Sequence, residues 1–141
     1  LTAIHAADGR IQAVDYASAG RATRVETRAV ILAAGGFESG ALEIDSYGAV
    51  SDTVCGLPVM GPTGQLLHAD FWGDEQPLFL AGLAVDDSMR VVDDNGTPVY
   101  TNLFAAGGNL AGATRWREKS GEGIALASAL AAVDAIVEEL K

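Results

Sequence analysis

The chain has 141 residues, enough for one modest domain and too few for two. Its residues are 49% hydrophobic, but 25 of them are alanine, so the interior must be closely packed backbone rather than large aromatics. Nineteen acidic against nine basic residues leave a net charge of −10, which gives no attraction to nucleic acid or to an anionic membrane surface. No apolar run approaches the roughly 18 residues of a membrane span, and no basic-then-apolar leader opens the chain. A lone Cys55, with His5 and His68 far apart, offers neither an internal disulfide nor a metal set. A soluble, cytoplasmic protein is the expectation. Leu1 falls inside what reads as a strand, so the chain is expected to be a portion of a longer one.

Leu1 to Ala6 reads as a strand, and Asp8-Gly9 is a type I′ turn signal. Residues 10–17 partly alternate, a small-residue turn containing Gly20 follows, and Thr23 to Thr27 is β-prone. Together these predict a β-meander over 1–27. Ala29 to Ala34 is apolar without alternation, the pattern of a strand buried on both faces, and it ends in Gly35-Gly36-Phe37. Residues 38–63 read as a long irregular loop of functional type. Gly64 to Trp72 reads as a short helix carrying Leu66, Leu67 and Phe71, and Leu78 to Val85 as an apolar strand interrupted by Gly82.

Arg90 to Val92 and Thr97 to Tyr100 flank Asp94-Asn95-Gly96 as a hairpin, with Asp86-Asp87 and Asp93-Asp94 at its solvent-exposed ends. Leu103 to Ala106 is a second buried strand, again ended by two glycines, Gly107-Gly108. From Gly121 the period becomes helical. Leu126, Leu130, Val133, Val137 and Leu140 mark one face, expected to pack on the sheet, and Ala125, Ala129 and Ala132 allow close approach beside it. Ser120 is the expected N-cap, with Glu122 in the first turn and Lys141 at the end. The fold class is α/β: a β-meander, buried strands of parallel type and a C-terminal helix.

Three glycine clusters carry the functional signal. Two follow buried strands, and the third, Gly121 and Gly123, opens the last helix. Strand ends and a helix N-terminus that approach a ligand through bare backbone are the logic of a nucleotide or flavin site. The plainer explanation, tight turns and close helix–sheet packing, suits any one cluster alone.

At these residues the sequence resembles the fumarate reductase/succinate dehydrogenase flavoprotein superfamily. Val30 to Phe37 looks like its second flavin-contacting strand. Gly82 to Gly107, with Asn102-Leu103-Phe104-Ala105-Ala106-Gly107, looks like its late segment. Within the superfamily the chain is similar to the B-subunit family of anaerobic glycerol-3-phosphate dehydrogenases. That likeness rests on Ser39-Gly40, Gly56-Leu57-Pro58, Asp70-Phe71, Gln76-Pro77 and Ser128-Ala129-Leu130.

The resemblance implies the C-terminal portion of an FAD/NAD(P)-binding-type fold and a non-covalent flavin, FAD or FMN. It implies a catalytic A subunit and an iron–sulfur, membrane-anchoring C subunit as partners, placing the protein at the inner face of the membrane. The activity implied is oxidation of glycerol 3-phosphate to dihydroxyacetone phosphate, with electrons passed to quinone. The cofactor-binding residues implied are Ala34, Gly35, Gly36, Gly107, Gly108, Ser120, Gly121, Glu122 and Gly123.

There are departures from the pattern. No G-x-G-x-x-G fingerprint follows a strand, and the superfamily carries it at an N-terminus outside this chain. The isolated chain is therefore expected to bind flavin weakly and to self-associate. Gly108 stands where many relatives have an acidic residue. Gly112-Ala113-Thr114-Arg115 resembles the Gly-Ala-Asn-Arg of fumarate reductases, with threonine for asparagine.

Arg115 is the candidate catalytic residue. With Arg117 and Lys119 it forms a basic cluster that suits a carboxylate or phosphate, or alternatively a solvated loop or subunit contact, with Trp116 between them to stack or to pack. His68 is a weak proton-transfer candidate and Cys55 a weak redox one; His5 has no role. Two further readings stay open: a soluble fumarate reductase or ketosteroid dehydrogenase-like flavoenzyme, and an electron-relay or scaffolding subunit without substrate chemistry of its own.

Overall fold

The computed structural model describes residues 1–62 and 64–141, and the side chains among them except those of Trp116 and Glu118. β1 (Ala3–Ala7), β2 (Arg10–Ser18) and β3 (Arg21–Glu26) form the antiparallel meander, in that spatial order. Both connections are two-residue turns with two left-handed residues, as the type I′ signal at Asp8-Gly9 predicts for the first. Asp8 and Gly9 have φ of 52° and 71°, and Ala19 and Gly20 have 49° and 77°. β3 is exposed along its whole length. On this sheet Arg24 and His5 both hydrogen-bond the Asp15 carboxylate, each at 2.8 Å, and hold it well below the usual carboxylate range.

β4 (Val30–Leu32) and β7 (Leu103–Ala105) pair in parallel, Val30 opposite Leu103 and Leu32 opposite Ala105. β7 is the inner strand. Its other edge is bonded by the 89–91 backbone, with Val91 N–H donating to Leu103 O at 3.0 Å and Ala105 N–H to Met89 O at 3.0 Å. Leu103 and Ala105 are fully buried in the core with Ile11, Leu32, Leu57, Leu83, Val91 and Leu110. β4 corrects the expectation of a strand buried on both faces: it stops at Leu32, and Val30 and Ile31 are only half-buried.

Asn102, just before β7, ties the meander to the parallel pair. Its amide donates to the carbonyls of Ile11 (2.8 Å) and Arg28 (2.9 Å) and accepts from Ile11 N–H (2.8 Å), with no side-chain exposure.

Between the two parallel strands the structure revises several expectations. The 38–63 loop contains a hairpin, β5 (Leu42–Ile44) with β6 (Val50–Asp52). Residues 64–72 form no helix. Their backbone is held by side chains instead: Asp70 accepts from the Trp72 and Gly73 amides, and buried Gln76 accepts from His68 N–H and donates to the Asp70 and Phe71 carbonyls. Pro77 opens a 3-10 turn, Pro77–Leu80, where a strand was expected, and only single bridges follow at Gly82, Leu83 and Val85. Proline without an N–H at the first position suits a helical turn and not a strand interior.

Three loops share one device. Asp45, Asp86 and Asp93 each accept from the amides two and four residues on, and the residue three on is left-handed: Gly48 (φ 90°), Met89 (65°) and Gly96 (77°). Asp86 and Asp93 are therefore turn-setting carboxylates rather than merely solvated ends.

α1 (Arg115–Glu118) is a single turn, and α2 (Gly121–Glu139) closes the chain. α2 is helical as predicted but rotated from the expected docking. Leu126, Leu130, Val133 and Val137 are 73%, 59%, 43% and 51% exposed, whereas Ser128 and Ala132 are buried. The helix sits on its small residues. Ser128 Oγ accepts from Gly107 N–H at 2.9 Å and donates to Ile124 O at 2.6 Å, so α2 is stitched to the end of β7. At the far end the Arg90 guanidinium reaches Glu139 at 3.5 Å.

Candidate functional site

The carboxyl ends of β4 and β7 lie side by side because the strands are parallel and in register, and each is followed within two residues by its glycine pair, after Ala33-Ala34 in one case and Ala106 in the other. The two glycine loops then meet. A Cβ built on Gly36 would lie 2.5 Å from the Gly108 carbonyl oxygen, closer than any real contact, so this approach requires glycine. Leu32 O, at the end of β4, accepts from both Ala106 N–H (3.1 Å) and the Asn109 side-chain amide (3.0 Å). Asn109 Oδ1, by contrast, is buried without a hydrogen-bond partner among the described residues. An orphaned acceptor at a strand end is costly unless something else supplies a donor.

Beside these loops opens a cleft of about 430 Å3, lined by Phe37, Phe71, Phe79, Ala81, Leu110 and Ala113 with Gly108, Glu38 and Arg115. Phe71 meets Phe79 edge-to-face with ring centroids 6.3 Å apart. The walls are mostly apolar. The charged side chains on it are Arg115 and Glu38, paired at 3.2 Å. Glu38 is held below the usual carboxylate range, first by its own backbone N–H and then by Arg115.

The structure separates the predicted site residues into groups. Ala34, Gly35, Gly36, Gly107 and Gly108 gather at the two strand ends. Gly107, at φ 81°, is bonded to α2 through Ser128. Ser120, Gly121, Glu122 and Gly123 form the start of α2. Ser120 caps through its carbonyl, which accepts from Ile124 N–H at 2.8 Å, and its side chain makes no cap bond. Among the described residues nothing lies within 4 Å of a Cβ built on Gly121 or Gly123, so the first-turn N–H donors of α2 stand beside two positions with open space.

The basic cluster is dispersed. Arg115 enters the cleft; Arg117 lines a separate, open depression with His68, Asp74 and Glu75; Lys119 is exposed at the left-handed end of α1. The Trp116 side chain lies outside the described residues. His68 is therefore off the cleft. Burial, together with the Asp52 carboxylate, pushes the Cys55 thiol up to about 11, which leaves it protonated and unreactive at neutral pH. Sequence reasoning missed Glu38, Phe79 and Asn109. Only Asn109 carried a signal, a polar residue directly after a strand-ending glycine pair.

The FAD binding domain family matches residues 43–124, more than half of the chain, from β5 through β7 to the first turn of α2. Searches of curated proteins and of solved structures find no match. The residues present are compatible with such a cofactor: an orphaned buried acceptor at Asn109, strand ends bare of side chains, and an open helix N-terminus. Among the described residues no His/Cys/Asp/Glu cluster could hold a metal, and no helix is long and apolar enough to cross a membrane.

Proposed function

The chain belongs to the FAD binding domain family and is part of a flavin-dependent oxidoreductase; from that premise we propose that it is the C-terminal portion of the B subunit of an anaerobic glycerol-3-phosphate dehydrogenase. When bound, FAD supplies an acceptor for the two electrons that leave the substrate carbon. In this reading Ala34, Gly35 and Gly36 on one strand end, Gly107 and Gly108 on the other, and Ser120 to Gly123 at the start of α2 hold the cofactor through backbone. Arg115 faces the substrate and pairs with its phosphate. Phe37, Phe71 and Phe79 keep water from the cleft. What supports the flavin-dependent part of the reading is the family match across β7, its glycine pair and Arg115; the substrate and subunit assignment rests on the resemblance of the sequence.

The partners this reading calls for are a catalytic A subunit and an iron–sulfur C subunit at the inner face of the membrane, with quinone as electron acceptor. One observation favours a second reading, a relay subunit without substrate chemistry of its own: Glu38 and Arg115, the charged groups on the cleft, neutralise one another, and Glu38 is a poor base.

The test is anaerobic addition of sn-glycerol 3-phosphate to the full-length, flavin-loaded protein. Loss of the visible flavin band by this subunit alone supports substrate oxidation at this chain's own cleft, and loss only after the A subunit is added supports the relay. No loss in either case, with succinate or a ketosteroid effective instead, replaces both with a soluble reductase.

A further inference from the structure

Arg115 enters the cleft through a slot made of backbone. A Cβ on Gly108 would lie 2.7 Å from Arg115 Nη1 and 3.2 Å from Cζ, and a Cβ on Gly36 would lie 2.9 Å from Nη2. A side chain at either position would occupy the place of the guanidinium. The two glycine loops, one after each parallel strand, are thus its walls. On the open side Arg115 Nη2 donates to Glu38 Oε2 at 3.2 Å. The Arg115 side chain is 29% exposed and that of Glu38 is 77% exposed, so the carboxylate arrives from solvent while the cation is seated in the protein.

We infer how Arg115 is held ready for the oxyanion of the proposed substrate: Gly36 and Gly108 are positioning residues that seat its guanidinium, and Glu38 is an internal carboxylate that the substrate's phosphate or carboxylate displaces. The inference deepens the proposed function, since the site is the same one. An exposed ion pair of this kind holds weakly, at about 0–1 kcal/mol. Glu38 contacts one guanidinium nitrogen, whereas a planar fork binds a free carboxylate or phosphate through two. The aromatic walls beside the slot then take whatever the oxyanion carries. Displacement of Glu38 makes binding an exchange of one anion for another, so the cleft never holds an unpaired cation.

Gly108→Ala is the informative variant. Its new Cβ would lie 2.7 Å from Arg115 Nη1, the end of a flexible side chain, and 3.3 Å from Gly36 N, and Gly108 is not in the left-handed region, so the guanidinium must move while the Gly36 backbone gives by only a few tenths of an ångström. Gly36→Ala instead strikes the Gly108 carbonyl and would confuse folding with function.

Binding of sn-glycerol 3-phosphate, inorganic phosphate and benzoate is measured by calorimetry on full-length, flavin-loaded protein. Glu38→Gln should tighten the bound oxyanion about two- to fivefold, the value of the lost competing pair. Gly108→Ala should weaken it by about tenfold, and Arg115→Ala by about 10- to 100-fold. Glu38→Gln needs no backbone change and decides the matter if Gly108→Ala fails to load flavin.

Tightening by Glu38→Gln with weakening by Arg115→Ala supports the site. Unchanged or weaker binding in Glu38→Gln, wild-type binding in a loaded Gly108→Ala protein, or no oxyanion bound in any arm overturns it. Benzoate bound with this pattern, and glycerol 3-phosphate not bound, supports the site and removes glycerol 3-phosphate as the substrate.

Discussion

β4 and β7 carry nearly the same text, an apolar run ending in Ala-Ala-Gly-Gly, yet they occupy different environments. β7 is bonded on both edges and every residue in it is buried; among the described residues β4 pairs with no strand but β7, and Val30 and Ile31 remain half-exposed. The local sequence specified a strand and a glycine turn in both cases. Burial was specified by neighbours: the 89–91 backbone covers one edge of β7, and nothing among the described residues pairs with the free edge of β4. An apolar run without alternation reports that a strand will be covered, and not by which part of which molecule.

The comparison is broken most directly by truncation. Phe104, 1% exposed on β7, should cost about 3–5 kcal/mol as Phe104→Ala, whereas Ile31, its partner on β4, should cost about 1–2 kcal/mol as Ile31→Ala. Equal losses in urea melts would mean that the two strands are covered alike in solution. Asn102→Ala comes next, at about 3 kcal/mol, because it leaves both backbone groups of Ile11 and the Arg28 carbonyl without their buried partner. Hydrogen exchange should quicken at the Ile11 amide before it does in β7. Uniform quickening would show that the meander and the parallel pair open as one unit.

The same contrast exists on α2. Leu130→Ala should change stability by only about 0.5 kcal/mol, since Leu130 is 59% exposed, while Ala132→Leu should cost about 1–3 kcal/mol by overpacking a fully buried position. The reverse ranking would mean that the helix docks on its leucine face, as its periodicity alone suggests.

The smallest effect is local. The Thr97 and Asn95 amides hold the Asp93 carboxyl below its usual range. A lowered folded pKa gives stabilisation that is present above an unfolded aspartate's value of about 3.9 and is lost as pH falls through the folded value. Acidification through the folded value, below the ordinary aspartate range, should therefore expose the Asn95 and Thr97 amides to exchange, and Asp93→Ala should show that exchange already at neutral pH. Protection that persists at low pH would show that the left-handed Gly96 sets this turn without the carboxylate.

Legibility followed the range of the interactions. The meander was readable because Asp8-Gly9 and the Gly20 turn act within a few residues, and the strands they join are neighbours in sequence. The helix was readable from its period. The stretch 64–80 was misread because buried Gln76 and Asp70 organise it with side-chain hydrogen bonds to backbone, for which apolar periodicity has no mark. Of the site, the glycine pairs and Arg115 were visible as residue types. Glu38 and Phe79 were not, because exposed acids and scattered aromatics are common everywhere in a chain.

The sequence by itself determined the meander with its two-residue turns, the closing helix and the glycine ends of both parallel strands, and it pointed to a flavin-binding family. Tertiary structure alone decided which face of α2 is buried, which of the two like strands is covered, and that Gly36 and Gly108 close around Arg115. Backbone propensity and turn chemistry act over a handful of residues and are written in order along the chain. The meeting of residues 36, 108 and 115 depends on parallel pairing across more than seventy residues, which only the packed core brings about.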